Sequence, residues 1–490
     1  MSYRRHFSLE QIAENALVDY GFSPYQGQAV LAAVKKIHPV SPNKKDGVRD
    51  LRHLLWSSID NVDSEDLDQL EFAQKLPQGN IHIKVAIADV DHYVRRGDAI
   101  DKHASHNATS LYTGVKNFPM LPQELSYDLT SLLLDQDRLA IVIEYTVKKD
   151  GQTVAGDVYR AWVNNKAKLV YEQVGAWLDN MDQPKPVWLT NPHLEDQLRL
   201  QYEAAKRLRT HRQEEGMLEF ETVETKPLII EGQIKKLVLE ESTKAHKIIE
   251  QFMIAANQTM VSFLTGHRLP TVQRIVRVPE RWARIVEIAE DYGFHLSHEP
   301  DSAHLREFLI KRRAKDPKTF ADLSLMIIKL IGRGEYELVN PGKLGHGHFG
   351  LAVGHYTHST APNRRYVDLI IQRLIKSVLA GAPIAYSKRE LVELAAWCTE
   401  RDAASKKVER FMRKVAAAIL LQKHVGEEFE GIITGSSSKG VYVRLFDPPA
   451  EGRIMRNERG LDVGQRVIVR LAAADPQRGY LDFARIAVLK

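Results

Sequence analysis

Five carboxylates lie within the stretch Ser58-Ile-Asp-Asn-Val-Asp-Ser-Glu-Asp-Leu-Asp-Gln-Leu70, at Asp60, Asp63, Glu65, Asp66 and Asp68. Carboxylates held within a few ångströms of one another repel, and each raises the pKa of its neighbours, unless a cation neutralises them. Oxygen ligands at this density favour Mg²⁺ or Mn²⁺ over zinc, which prefers Cys and His. The stretch is therefore either a binding site for a divalent cation or a solvated acidic loop.

A predicted strand follows the acidic stretch along the chain. In Ile81-His-Ile-Lys-Val-Ala-Ile-Ala88 the larger apolar residues recur at every second position, which is the period of a strand half-buried in a sheet. Residues 139–147 and 154–163 predict a hairpin, and residues 227–239 predict another hairpin that turns at 231–232. A loop that leads into a buried strand suits a metal site, whereas an acidic run taken alone is more often a solvated loop, so both readings stay open at this point.

Helical patterns occupy other parts of the chain. The apolar spacing in residues 1–40 predicts a compact helical module, for which a helix-turn-helix arrangement is one option, and residues 41–47 read as a linker. Residues 244–265 predict an amphipathic helix, and Ser387 with Glu390 forms a capping box at the start of a long final helix. Short alternating strands with glycine turns then predict a five-stranded OB barrel at 425–490. The sequence therefore predicts a multidomain α+β protein.

Composition limits the class of protein. At 490 residues the chain is too long for one domain, so two or three are expected. Its one cysteine, Cys398, excludes an internal disulfide and a cysteine-based zinc site and fits a reducing compartment. No segment is long and uncharged enough to span a bilayer, so we expect a soluble cytoplasmic protein with no membrane partner. The net charge of +5 around an acidic centre suits a polyanionic substrate.

The acidic stretch and a series of later motifs resemble one enzyme family, the RNase II / RNase R (RNB) exoribonucleases. The family signature reads Ile-Asp, five residues, then Asp-x-Asp-Asp. Asp60, Asp66 and Asp68 match its first three aspartates, and Gln69 departs from the fourth. Further matches follow in order at Ile87-Ala-Asp-Val90, Leu111-Tyr112, 118–126, 167–174, 249–257, 348–352 and 356–369. Such an ordered series over residues 50–425 is more specific than any single motif.

The resemblance implies an RNB-type mixed α/β catalytic domain over residues 46–422. It would lie between the helical module at 1–45 and an OB-fold RNA-binding domain at 425–490. Family members usually carry two cold-shock barrels before the catalytic domain, and about fifty residues are too few for two such domains. The helical module either binds RNA or covers the catalytic domain, and the sequence leaves both open.

The resemblance also implies a metal and a phosphate clamp. Asp60, Asp66 and Asp68 are expected to hold Mg²⁺, or Mn²⁺ in its place. Arg364, followed by Arg365, is expected to clamp the scissile phosphate, a task suited to a planar fork of hydrogen-bond donors.

Gln69 is the position at which this chain departs from the family signature, so the family's residue roles apply least directly here. Its amide carbonyl can approach Mg²⁺ but supplies no charge, so we expect an active enzyme with altered metal dependence. Three nearby carboxylates are candidates to compensate for the missing one: Asp63, Asp89 and Asp91.

Several side chains are expected to contact RNA. The resemblance implies that Tyr112 and Tyr171 position or stack on the 3′-terminal nucleotides, and that Phe220 stacks at the opposite end of the bound tract. Glu409 matches an acidic position that contacts the terminal ribose 2′-hydroxyl, which distinguishes RNA from DNA.

The OB barrel offers further RNA contacts. Phe429 and Tyr442 are placed either to stack on bases or to fill the barrel core. Three basic residues are candidates for phosphate contacts: Lys439, Arg444 and Arg453.

Two other motifs are weak. The segment Gly345-His-Gly-His-Phe-Gly350 spells a dinucleotide fingerprint, but no hydrophobic strand precedes it, so we expect no nucleotide cofactor. The histidines at 346, 348, 355 and 358 lack a cysteine partner, and packing or polar contacts explain them better than zinc.

The expected function is a hydrolytic, processive 3′-to-5′ exoribonuclease that degrades single-stranded RNA to nucleoside 5′-monophosphates and acts as a monomer. The alternative is a catalytically weakened RNA-binding or regulatory relative that keeps the channel and the OB barrel.

Overall fold

The computed structural model describes residues 8–42, 47–181, 184–189, 191–221, 225–230, 233–239, 242–317, 319–343, 345–437 and 440–489. Within these ranges no helix is both long enough and apolar enough to cross a bilayer. The predicted turn at 231–232, Lys439 and most of the predicted linker at 41–47 lie outside the described residues.

The strands of the described chain are β1 (Arg49–Asp50), β2 (Trp56–Asp60), β3 (Gln69–Lys75), β4 (Ile81–Ala88), β5 (Leu111–Tyr112), β6 (Asn117–Phe118), β7 (Asp137–Val147), β8 (Thr153–Val170), β9 (Thr225–Ile230), β10 (Gln233–Leu239), β11 (Thr271–Ile275), β12 (Glu335–Val339), β13 (Glu428–Ser437), β14 (Gly440–Leu445), β15 (Glu451–Arg456), β16 (Arg466–Asp475) and β17 (Tyr480–Val488).

The α-helices of the described chain are α1 (Leu9–Asp19), α2 (Gln28–Val34), α3 (Ala99–Asn107), α4 (Tyr171–Asp179), α5 (Pro192–Glu214), α6 (Lys244–Gly266), α7 (Trp282–Asp291), α8 (Ser302–Lys315), α9 (Phe320–Ile331), α10 (Tyr366–Leu379) and α11 (Lys388–Leu421).

A six-stranded mixed sheet forms the centre of the catalytic region, in the order β1-β8-β2-β3-β4-β7. The long strand β8 also pairs with β7, so the sheet closes on itself. Residues Ile81, Ile83, Val85 and Ile87 of β4 are buried, which confirms the strand predicted from their alternation. The β7–β8 hairpin was also predicted, but both strands are longer than the apolar runs that indicated them. Helices α4, α5 and α6 cover the sheet and share its hydrophobic core.

A second, smaller core lies between α7, α8 and α9. It is built from buried aliphatic and aromatic side chains of these helices, including Trp282, Phe308 and Phe320. Phe220 packs against this core from the segment that follows α5. The three helices therefore form a separate layer. Its edge contacts Phe220, one of the residues predicted to stack on RNA.

The two helices of the N-terminal module lie against the catalytic region. Helix α1 packs on α11 and on the β5–β6 hairpin, while Val30 of α2 enters the main core near α3. The predicted helices are present in the described residues. Of the two roles left open for the module, covering the catalytic domain is the one that its buried apolar face supports.

The C-terminal strands close into the predicted five-stranded barrel, in the order β13-β14-β15-β17-β16. Helix α11 begins with the predicted capping box, in which Ser387 and Glu390 each accept a backbone N–H of the other. Its last turn buries Ala417, Ala418 and Leu421 in the barrel core. Because one helix contributes to both cores, the barrel is fixed to the catalytic region.

Candidate active site

A cavity of about 1430 Å³ opens where β2 ends at Asp60 and β3 begins at Gln69. Eight of the residues predicted to bind metal, act in catalysis or contact RNA line this single space. They are Asp60, Asp66, Asp68, Gln69, Tyr112, Tyr171, Phe220 and Arg364. Residues separated by some three hundred positions in the chain thus meet in one place, as expected for an active site formed by long-range contacts.

Local hydrogen bonds shape the acidic loop between β2 and β3. The Asp60 carboxylate accepts hydrogen bonds from the backbone N–H of Asn61 at 2.7 Å and from the Ser64 hydroxyl at 2.8 Å. The buried Ser131 hydroxyl donates to the Glu65 carbonyl and accepts from the Leu67 amide. These bonds hold the loop in a turn that brings the following aspartates back toward Asp60. Burial raises the pKa of Asp60 in spite of its two donors.

Asp68 is the most deeply buried carboxylate of the cavity, with 4% of its side chain exposed. Burial raises its pKa to about 7, and the adjacent Arg364 guanidinium opposes that rise. Arg364 donates from Nε to Asp68 Oδ2 at 2.6 Å. The other oxygen, Oδ1, is buried and accepts no hydrogen bond within the described part of the chain. A buried carboxylate oxygen without a donor is costly, so this atom calls for a cation or a water.

Arg364 is held in place by the turn that precedes α10. The Asp368 carboxylate accepts from the Ala361 amide at 2.8 Å and from two nitrogens of the neighbouring Arg365 at 2.8 and 2.9 Å. Arg365 is therefore engaged in bracing the turn, and it does not line the cavity. The predicted contact of Arg365 with RNA is not supported, because its guanidinium is occupied by Asp368.

Two tyrosines form walls next to the carboxylates. The Tyr112 hydroxyl donates to Asp66 Oδ2 at 2.8 Å. The Tyr171 ring stacks on the His246 ring with centroids 3.8 Å apart and an angle of 12° between the planes. Burial, then Asp60 and the nearby carboxyl of Glu71, raises the pKa of Tyr171, so its hydroxyl stays protonated.

His246 was not identified from the sequence. It occupies the third position of α6, where its Nδ1 accepts from the Thr243 amide at 3.1 Å and its own amide donates to the Thr243 hydroxyl. The segment Thr243 to His246 has the spacing of a capping box with histidine in place of glutamate. This spacing is a sequence signal that could have placed His246 at the start of a helix. The stack on Tyr171 has no such signal, because it depends on the tertiary fold.

Phe220 and its neighbours form another part of the cavity wall. Arg209 donates to both oxygens of Glu219 at 2.7 and 2.8 Å, and Arg313 pairs with Glu221. All of these residues line the cavity. Each of these two acidic groups is paired with an arginine, so this part of the wall has little net charge.

Glu71 is a second residue that sequence reasoning missed. It lies on β3 opposite Ser57 of β2, is fully buried, and neither of its carboxylate oxygens has a hydrogen-bond partner in the described chain. Burial, and then the charge of Asp60, raises its pKa well above the usual range. Its only sequence signal is a carboxylate inside the otherwise apolar run Leu70 to Ala73.

The carboxylates proposed to compensate for Gln69 lie elsewhere. Asp89 accepts from Arg160 at 2.9 Å and from Lys376 at 2.8 Å, and Asp91 pairs with Arg373. Neither aspartate lines the cavity, so both are structural ion-pair partners of α10 and β8 and that expectation is wrong for them. Asp63 does not line the cavity either.

Besides Arg365, three more of the predicted RNA contacts lie outside the cavity. Glu409 is half-buried on α11, and Phe429 and Tyr442 are half-buried on the barrel. Phe429 also packs against the barrel core, which supports the second of its two predicted roles. Arg444 forms a buried ion pair with Asp322 of α9 and is therefore not available to a phosphate, whereas Arg453 is exposed.

The histidines of the 346–358 segment have separate roles. His346 pairs with Glu337, His348 accepts the Leu351 amide, and His358 shares a hydrogen bond with the Tyr336 hydroxyl. Three of the four histidines thus have polar contacts, while Nδ1 of the fourth, His355, is buried without a hydrogen-bond partner in the described residues.

The donors in the cavity suit a hard cation by their chemistry. Three carboxylates of the acidic stretch, Asp60, Asp66 and Asp68, line it together with Gln69, and Asp68 Oδ1 lacks a donor within the described residues. Among the residues that the structure describes, no three His, Cys, Asp or Glu side chains converge closely enough to form a ligand set. Arg364 is the cation that contacts Asp68 in this arrangement.

The chain matches two family models. An RNB domain covers residues 48–381, and an RNase II-type exonuclease C-terminal S1 domain covers residues 427–486. Ribonuclease R of Thermotoga maritima is 30% identical over 482 residues, which cover 91% of this chain and 66% of the relative. The first curated relatives are all longer, and this chain spans 57 to 66% of their length.

Solved structures share the fold. Mycoplasma genitalium RNase R in complex with ribose methylated single-stranded RNA superposes with a TM-score of 0.87 at 24% identity, over 98% of this chain and 78% of the other. Yeast Ssd1, described as a pseudonuclease, superposes with a TM-score of 0.71 at 16% identity, over 94% of this chain and 58% of the other. With an RNB domain over most of its length, followed by the matching S1 barrel, the chain belongs to the RNB family of RNase II-type proteins.

Proposed function

We propose that the protein is a Mg²⁺-dependent exoribonuclease that shortens single-stranded RNA from its 3′ end and releases nucleoside 5′-monophosphates. The observation that carries this proposal is the meeting of Asp60, Asp66, Asp68 and Arg364 in one cavity with aromatic walls. The family membership and the relatives named Ribonuclease R support the reaction, and the RNA-bound relative supports the substrate.

Phosphodiester hydrolysis requires an activated water and stabilisation of charge on the phosphate. Bound Mg²⁺, held by Asp60, Asp66, Asp68 and the Gln69 carbonyl, would supply both. Arg364 binds the phosphate directly. Its bond to Asp68 uses Nε, and 40% of the side chain is exposed in the cavity, so the terminal nitrogens are left to donate to phosphate oxygens. The same bond fixes the plane of the guanidinium.

The aromatic walls hold the bases. Tyr171, backed by the stacked ring of His246, presents a flat surface to a terminal base, and such stacking is worth about 1 to 3 kcal/mol per base. Phe220 offers a second surface in another part of the cavity wall. Two stacking surfaces in one enclosed space keep a shortened RNA bound between cuts, which supports processive action.

The alternative is an RNA-binding member of the family without catalysis. Two observations favour it: Gln69 removes a carboxylate from the family signature, and a pseudonuclease shares the fold. The alternative keeps the cavity and the barrel but predicts that bound RNA is never shortened.

Incubation of 5′-labelled single-stranded RNA with Mg²⁺ separates the two functions. Exoribonuclease activity predicts loss of the full-length RNA and accumulation of a short labelled end product, with no shortening in EDTA. The variant Asp68→Asn is expected to bind the RNA without cutting it. A wild-type protein that retains RNA intact with both Mg²⁺ and Mn²⁺, but cuts it after Gln69→Asp, would establish the binding function instead.

A further inference from the structure

The β5–β6 hairpin has two faces with different surroundings. Leu111, with 1% of its surface exposed, points into a hydrophobic cluster behind the hairpin. The next residue, Tyr112, is 39% exposed and directs its hydroxyl to Asp66 in the active-site cavity. Successive side chains of a strand point to opposite faces, so any support for Leu111 from behind also supports Tyr112 in front.

Helix α1 provides that support. Its buried face packs against α11 and shares one hydrophobic cluster with the inner side chains of both hairpin strands. The cluster consists of Ile12, Ala13, Ala16 and Leu17 from α1, Leu111 and Phe118 from the hairpin, and Val408, Met412 and Val415 from α11. Phe22, directly after α1, completes the cluster. The hairpin is too short to be stable alone, so its position depends on this packing.

Polar contacts join α1 to the hairpin turn. Lys116, between β5 and β6, pairs with the half-buried Glu14 of α1 at 3.1 Å, and the Tyr25 hydroxyl donates to the same carboxylate. Within the turn, the Thr113 hydroxyl donates to the Lys116 carbonyl at 2.7 Å and accepts the Lys116 amide at 3.1 Å. Gly114 adopts a φ of +75°, a conformation that suits glycine in so tight a turn.

The base of the hairpin is bonded to the Arg364 turn. The Ser110 amide donates to the Arg364 carbonyl at 2.9 Å, and the Thr109 hydroxyl donates to the same oxygen at 3.2 Å. The Tyr366 amide donates to the Ala108 carbonyl at 2.9 Å. Residues 108–112 therefore connect the surface of α1 to both Tyr112 and Arg364.

The charge of α1 argues against RNA binding by this helix. Its sequence, Leu-Glu-Gln-Ile-Ala-Glu-Asn-Ala-Leu-Val-Asp, contains three acidic residues and no lysine or arginine. Nucleic-acid binding depends on basic side chains that neutralise phosphates. Its apolar face is already covered by the hairpin and α11.

We propose that α1 positions the β5–β6 hairpin. Glu14, Leu17 and Lys116 are then positioning residues that act on the reaction through Tyr112. The expected effect of these residues on kcat rests on the proposed ribonuclease function. Small displacements of groups around a reacting centre reduce turnover strongly without necessarily weakening substrate binding.

A double-mutant cycle on the full-length protein tests this inference. Leu17→Ala removes packing behind the hairpin, and Lys116→Met removes the ion pair with less disturbance of the core. With Tyr112 present, Leu17→Ala is expected to lower kcat about tenfold with KM for single-stranded RNA within about twofold of wild type. In a Tyr112→Phe background, the same substitution is expected to lower kcat by no more than about twofold. Lys116→Arg should restore what Lys116→Met loses, and Asn15→Ala, on the exposed side of α1, should match wild type.

Equal losses of kcat in the two backgrounds would overturn the inference, because α1 would then act independently of Tyr112. A rise in KM with unchanged kcat would also overturn it and would favour RNA binding by the module. Hydrogen exchange at residues 108–120 gives a readout that needs no activity. Exchange should accelerate in Lys116→Met and Leu17→Ala but not in Asn15→Ala, and unchanged exchange would contradict the inference even if the protein proved to have no ribonuclease activity.

Discussion

At the residue scale, Asp68 and Arg364 depend on each other. The carboxylate is buried and needs a positive neighbour, and the guanidinium needs an acceptor that fixes its orientation in the cavity. The pair therefore serves two purposes: it offsets the cost of burying Asp68, and it aims the remaining donors of Arg364 at the space for a phosphate. Lysine offers charge without this planar geometry.

We expect Arg364→Lys to reduce kcat about 100-fold, because a lysine cannot bond Asp68 and also present two coplanar donors to the phosphate. Steady-state kinetics on labelled RNA measure the effect. Arg389→Lys, at an exposed position of α11, is the matched control for purification and folding. Wild-type kcat in Arg364→Lys would mean that the guanidinium only balances the charge of Asp68.

Gln69 gives a second test at this scale. Gln69→Asp places another carboxylate beside Asp68 in a buried setting, so without metal the unfolding free energy should fall by about 1 to 3 kcal/mol. With Mg²⁺ the loss should be reversed, and the Mg²⁺ concentration for half-maximal activity should decrease. Thermal melts with and without Mg²⁺ measure both effects.

Gln69→Asn has the size of the aspartate variant without its charge and serves as its control. We expect that Mg²⁺ does not raise the unfolding free energy of this variant. If the melting temperature of Gln69→Asp did not change on addition of Mg²⁺, residue 69 would not face the metal site.

At the element scale, the features that follow local rules were predictable. The alternation of β4, the capping box of α11 and the glycine-punctuated strands of the barrel each depend on residues close in sequence, and all three are present. The stack of Tyr171 on His246 joins the starts of α4 and α6, and the ion pair of Arg444 with Asp322 joins β14 and α9. Neither pairing has a local sequence signal, so Arg444 was assigned to phosphate instead.

His348 predicts a pH dependence of stability. Its Nδ1 accepts the Leu351 amide at 3.2 Å, so the short helical turn at 349–351 requires a neutral ring. Burial, and then the charge of Arg274, lowers its pKa to about 4. Because the unfolded chain takes up this proton near pH 6.5, stability is full above pH 6.5 and decreases as the pH falls toward 4, by about 3 kcal/mol in all.

His348→Asn keeps an acceptor at the same position but does not titrate. We expect its unfolding free energy to change less between pH 7.5 and pH 5 than that of the wild type, as measured by chemical denaturation. Identical changes in the two proteins over this interval would show that His348 is not responsible.

At the scale of the whole molecule, the cavity is assembled from distant segments. The spacing of Asp60, Asp66 and Asp68 and the resemblance to the family indicated the acidic centre and Arg364. The sequence did not reveal the role of the N-terminal module, because packing of α1 on a hairpin one hundred residues away is decided by tertiary contacts. Glu71 was missed for the same reason, since its burial depends on tertiary contacts that no local pattern reports.

The barrel is tied to the catalytic region by the buried pair of Arg444 and Asp322, whose side chains are 13% and 8% exposed. We expect Arg444→Met to destabilise the protein by about 3 to 5 kcal/mol, because it leaves Asp322 buried without a partner. Looser attachment of the barrel should also raise KM for long RNA more than for a tetranucleotide. Arg453→Met, an exposed barrel arginine, is the stability control. Equal melting temperatures of Arg444→Met and Arg453→Met would contradict the prediction.

The central claim is that this cavity hydrolyses RNA from a free 3′ end, and one experiment tests it most directly. The same single-stranded RNA is prepared as a 5′-labelled linear molecule and as a closed circle, and both are incubated with the protein and Mg²⁺. We expect the linear RNA to be shortened to a short labelled product with release of nucleoside 5′-monophosphates, while the circle stays intact. Cleavage of the circle, or retention of the linear RNA at full length, would contradict it.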